Sequence, residues 1–180
     1  MKKFAFLLVA ALCCLNATAT TYTGQLSVTI NGEGDSQDDV TIAIEKNADG
    51  TYDLSLNNFC LVSEDSNIAV GNILVNNVEA TTGKRFTNLF VNREIEITEG
   101  DLEDVDLWIG PFLGELPINL NATFDEQTMS VHIDIDMSDP ESLGQFIKVD
   151  FLSAPVKGDV NNDGDIDVSD INGVVSIMLN

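Results

Sequence analysis

The chain has 180 residues and carries 30 Asp and Glu against 8 Lys and Arg, a formal net charge of −22. So acidic a surface repels nucleic acid and anionic membranes, which excludes both as partners, and it favours cations and solubility. The length allows one good core and a small appendage.

Residues 1–19 read as a secretory signal peptide. Lys2 and Lys3 supply the positive start, Phe4 to Leu15 an apolar run too short to span a bilayer, and Ala17-Thr18-Ala19 the cleavage site. The mature chain is expected to begin at Thr20. Lipoprotein processing at Cys13 or Cys14 is the rival reading, but it wants a small residue before the cysteine, and here Leu12 and Cys13 stand there. The expected location is therefore the periplasm, the cell surface or the medium. Without Lys2 and Lys3 the charge balance is 6 against 30. No later apolar run is long enough for a membrane span. Cys60 is then the one remaining cysteine, so no internal disulfide forms, and its setting in NNFCLV reads as a buried, inert thiol.

From Thr21 to Leu152 the dominant period is two. Leu26, Val28 and Ile30 share a face, then Val40, Ile42 and Ile44, then Tyr52, Leu54 and Leu56. Ile95 and Ile97 follow, then Leu116, Ile118, Leu120, Ala122 and Phe124. Val131, Ile133, Ile135 and Met137 alternate with His132, Asp134 and Asp136, and Ile147, Val149 and Phe151 close the series. Alternation of this kind means half-buried strands. Asn47 to Gly50 reads as a hairpin turn, Asn31 to Asp39 as a longer polar connection, and TTGK and TEGD as further turns. The result is an all-β domain of about eight strands, either a sandwich or a closed antiparallel barrel, with short sequential connections favouring the up-and-down barrel.

Trp108, in DLWIGP, is the candidate ligand-binding residue. It reads first as a core plug at one barrel end, and as the alternative it suits a pocket mouth, where it would stack on a sugar or an apolar ligand. His132, the one histidine, lies on the outer face of its strand beside Asp134 and Asp136. Without a cysteine or second histidine nearby, the three read as solvated surface rather than a metal patch. No nucleophile elbow, phosphate loop or dinucleotide fingerprint is present. Paired carboxylates carry no signal where acids are this abundant. No catalytic residue is assigned, and the chain reads as a non-enzyme.

After Leu152 the texture changes. Residues 153–157 form a short linker, and residues 158–180 begin with GDVNNDGDIDVSD. Laid on a twelve-residue calcium loop, Asp159, Asn161, Asp163, Asp165, Asp167 and Asp170 fall at positions 1, 3, 5, 7, 9 and 12, with Gly164 at the sharp turn and Ile166 at the packing position. Asp165 offers its backbone carbonyl, and Asp170 replaces the usual Glu. The ion expected is Ca²⁺, a hard cation that takes six to eight oxygens. Ile171, Val174, Val175, Met178 and Leu179 then fall on one face of a helix that starts at about Asp170, where a carboxylate suits the helix dipole.

The C-terminal pattern resembles one repeat of a type I dockerin: D-x-N-x-D-G-x-I-x-x-x-D, then a helix. That resemblance implies docking to a cohesin-like partner, often in polysaccharide-degrading assemblies, with Val168 and Ser169 at the positions that contribute to recognition. A full dockerin has two repeats and this stretch has one, so a calcium-stapled C-terminal cap is the alternative. The segment from residue 21 to residue 152 resembles the bacterial calycin-like β-barrel family, through TYTGQLSVTINGEG, NADGTYDLSLNNF, VGNILVNNV, WIGPFLGELPINLNATF, VHIDIDM and GQFIKVDF. The resemblance implies an up-and-down barrel of about eight strands and brings no catalytic residues. An eight-stranded barrel is just wide enough to fill with side chains or hold one small ligand. The sequence thus points to a secreted, non-catalytic binding or structural module for a small apolar or glycan ligand, or to a dockerin-tethered accessory of a polysaccharide-degrading or cell-surface assembly.

Overall fold

The period-two runs of the sequence become strands that alternate between a buried inner face and an exposed outer one. In the computed structural model, residues 19–62, 67–139 and 144–154 are described, together with Val168 and Ile171. The first eighteen residues of the expected signal peptide and the six proposed calcium ligands lie outside the described residues. Val168 and Ile171 are both helical and exposed.

Among the described residues the strands are β1 Thr20–Ile30, β2 Glu33–Lys46, β3 Tyr52–Val62, β4 Asn67–Val78, β5 Ala80–Thr82, β6 Thr87–Thr98, β7 Glu115–Phe124, β8 Met129–Met137 and β9 Gln145–Ser153. Every pairing is antiparallel. The order β4-β3-β2-β1-β9-β8-β7-β6 closes through a β4–β6 pairing into an eight-stranded barrel, and short β5 adds to the edge of β6. This is the up-and-down barrel rather than the sandwich. The inward residues form one continuous core, with Leu120 and Val75 fully buried at its centre. Burying a side chain of that size contributes about 1.5–3 kcal/mol.

The wall differs from the sequence expectation in three places. First, Asn31 to Asp39 is not a connection. Asn31 and Gly32, both at positive φ (53° and 93°), make a two-residue hairpin turn, and β2 starts at Glu33. Glu33–Gln37 pairs with β1, Asp38 and Asp39 bulge out of the ladder, and pairing resumes at Val40, whereas β2 meets β3 only over Ala43–Lys46. This part of the strand is solvated on both faces, so it has no apolar alternation to betray it. Where β3 runs alongside without a ladder, Val62 N–H donates to Gln37 Oε1 at 3.1 Å.

Second, Cys60 is half-buried rather than buried. A bulge at Asn58 (φ 54°) shifts the β3 register between Leu56 and Phe59, so Phe59 takes the inner face and Cys60 the outer.

Third, β4 and most of β6 escaped the alternation. The positive φ of Gly71 and Asn77 interrupts the period in β4. In β6 the half-buried Arg93 occupies the inward phase between Val91 and Ile95. The β4–β6 ladder is short, Asn72 opposite Thr98 and Ile73 opposite Ile97. Beyond it the strands part, and Arg93 Nη2 donates to the Asn76 carbonyl at 2.6 Å across the gap. The guanidinium thus replaces backbone pairing at the seam where the barrel closes.

Candidate ligand-binding cavity

The two ends of the barrel are built differently. At the end holding the β2–β3 and β7–β8 turns, Phe124 lies edge-on to both Tyr22 and Tyr52, with ring centroids 6.3 and 5.4 Å apart. The Tyr22 hydroxyl donates to the Asp125 carbonyl, and burial, then the Asp125 charge, pushes its pKa up to about 12. Three aromatic rings therefore plug this end.

The opposite end opens into an apolar cavity of about 180 Å³. Val28 and Ile30 of β1, Phe59 and Leu61 of β3, and Ile147 of β9 form much of its wall. Gln145 is the one polar side chain among its lining residues. A smaller space of about 50 Å³ lies against the same walls at Phe59, Ile73, Ile97 and Leu116.

Residues 99–114, between β6 and β7, fold across this mouth. Asn58, at its bulge, exchanges two hydrogen bonds with Asp101: Asn58 Nδ2 donates to Asp101 Oδ1 at 2.6 Å and Asp101 N–H to Asn58 Oδ1 at 2.8 Å. Asn72 Nδ2 donates to the Glu99 carbonyl at 2.8 Å. Ile109 N–H donates to the Ala69 carbonyl at 2.9 Å, continuing the edge of β4 where β6 has ended. A 3-10 turn at Gly110–Phe112 then turns Ile109 and Leu113 onto the cavity.

Trp108 is buried, 6% exposed, with its indole against Gly100, where a Cβ would stand 2.4 Å from Cζ2. The cavity is lined by its neighbour Ile109, and Trp108 itself is not among the lining residues. Leu102, Leu107 and Phe112 of the same loop are exposed, Phe112 at 77%.

The polar patch on the outer wall is also rearranged relative to the sequence reading. The β8–β9 register sets His132 opposite Asp150, and Nδ1 lies 2.6 Å from Asp150 Oδ1. Nε2 stands 3.3 Å from Asp134 Oδ1. The bond to Asp150 chiefly, with the nearby charges of Asp150 and Asp134, holds the imidazole pKa above its ordinary value against the opposing effect of burial. Asp136 turns away and accepts from the backbone N–H and hydroxyl of Ser138. Among the described residues, no group of three or more His, Cys, Asp or Glu is arranged to hold a metal. Sequence reasoning missed Asp150, because only the strand register brings it to His132. It allowed for one small ligand inside the barrel, but apart from the mouth position it offered Trp108 it named none of the residues as lining, and these have no motif.

No curated protein and no solved structure matches the chain. No helix among the described residues is long and apolar enough to cross a membrane. The family model for the calycin-like beta-barrel domain matches residues 18–154, which is the whole of the closed barrel, and the chain therefore belongs to that family.

Proposed function

We propose that this protein is an exported, non-catalytic binding module that takes a small apolar ligand, or the apolar end of a larger one, into the barrel. The observation that carries this reading is the cavity of about 180 Å³ behind residues 99–114, apolar except for Gln145. The calycin fold suits small apolar ligands. The cavity is below the ~300–1,000 Å³ of drug-sized sites, and close to the ~150 Å³ of an apolar cavity that binds benzene. It therefore fits a single ring or a short alkyl chain. A series of n-alkanols, titrated by calorimetry, should gain roughly fourfold in affinity per methylene while the chain still fits, from about 0.8 kcal/mol per buried CH₂. Affinity should then level off near eight carbons. Ile147→Phe, which fills the cavity, should abolish the binding while leaving the strand signal in circular dichroism intact. Equal binding by both proteins would place the alkanol elsewhere and defeat the reading.

The spacing of Asp159, Asn161, Asp163, Asp165, Asp167 and Asp170 supports a second element, a single Ca²⁺ loop followed by a helix. In our reading it staples the C-terminus of the exported protein. Its likeness to a dockerin repeat favours a further role as a tether to a cohesin-like partner in a polysaccharide-degrading or cell-surface assembly.

A further inference from the structure

We infer that the ligand of this cavity is a small amphiphile with a cationic head, an alkyl- or arylammonium; the inference rests on the cavity reading above. The cavity accepts a ring or short chain and no more, so the remainder of any ligand stays at the mouth. The chemistry of the mouth therefore selects the head group.

Among the described residues, the loop across the mouth carries charge of one sign only. Residues 99–114 carry Glu99, Asp101, Glu103, Asp104 and Asp106, and Glu115 follows at the start of β7. The chain has no lysine or arginine between Arg93 and Lys148. Lys46, Lys84 and Arg85 all sit at the opposite, aromatic-plugged end, in or beside the β2–β3 and β5–β6 turns. Lys148 stands on the outer wall, its ammonium 5.7 Å from the Phe146 ring. A mouth of one sign around an apolar, low-dielectric space focuses its field on the entering group. Ammonium is drawn in and carboxylate or sulfate repelled. The exposed Leu102, Leu107 and Phe112 on the same loop give the first carbons of the tail an apolar lip. Gln145, the polar residue of the lining, can accept a hydrogen bond from an ammonium through Oε1.

The test is a matched eight-carbon set, octylammonium, octanol and octanoate, with methylammonium as the tailless control, titrated calorimetrically into the full chain. At low salt, near 0.01 M, octylammonium should bind at least ~10-fold tighter than octanol, and octanoate weaker still. Near 1 M salt, where the screening length falls to about 3 Å, the three should converge. The triple variant Glu103→Gln, Asp104→Asn, Asp106→Asn should shrink the preference for the cation over the alcohol. Octanol binding with no preference for the cation overturns the inference and leaves the cavity reading standing. Methylammonium matching octylammonium also overturns it, since the cavity would then contribute nothing. Failure of all three octyl compounds to bind defeats the cavity reading itself.

Discussion

Gly71→Ala should strike at the closure of the barrel. Gly71 lies in β4 at φ 128°, and a Cβ there would stand 2.1 Å from the Thr98 carbonyl oxygen of β6. Carbon–oxygen contacts settle at about 3.3–3.6 Å, so the two backbones would have to part by more than about 1 Å. They would part beside Asn72 and Thr98, one of the pairs in the short β4–β6 ladder. Alanine would also be forced into a backbone conformation costing about 1–3 kcal/mol. Losing the adjoining hydrogen bonds adds about 1 kcal/mol each. Together these come to about 3–5 kcal/mol. At about 3 °C per kcal/mol for a domain of this size, the melting temperature should fall by roughly 10–15 °C. Gly32→Ala is the control: Gly32 has φ 93° and nothing within 4 Å of the place a Cβ would take, so it carries backbone strain without the clash. Thermal melts followed by circular dichroism would compare the two. Equal losses in both variants would refute the argument that close approach of β4 and β6 is what Gly71 provides.

His132 makes stability depend on pH with a definite sign. Because its bond to Asp150 raises its folded pKa, the histidine contributes fully below its unfolded value of about 6.5, and the contribution fades as pH rises through the folded pKa. The melting-temperature gap between wild type and His132→Asn should therefore be larger near pH 5 than near pH 9, and an equal gap at both would refute the pairing. Calcium titrated calorimetrically into the full chain should bind with a Kd of about 10⁻⁴–10⁻³ M, and Asp163→Ala should remove the heat. Unchanged heats in the variant would dismiss the loop.

Much of the wall was legible before any coordinates. Leu26, Val28, Val40, Ile42, Leu54, Leu120, Val131 and Phe151 all face inward as their alternation requires, because a strand half-buried against one core writes its period directly into the sequence. Stretches that do not follow that rule were hidden. Glu33–Asp39 is strand without a buried face, β4 carries left-handed residues that break the period, and β6 spends an inward position on Arg93. Each departure marks a place where neighbouring strands separate.

The functional geography was less legible still. Trp108 drew attention as a lone tryptophan, yet the cavity wall is made by its aliphatic neighbour Ile109 together with Leu113. The Asn58–Asp101 exchange joins residues 43 apart, and the His132–Asp150 pair spans 18. Neither spacing has a local signature. By itself the sequence determined the sign of the charge, the inward face of most strands and the calcium-type spacing of the C-terminal stretch, because each is a local pattern of residue types. Tertiary structure decided which strands pair, where the barrel closes, and which end is plugged and which is hollow. Those depend on register and on bulges at single residues, and a shift of one residue turns a strand's whole inner face outward.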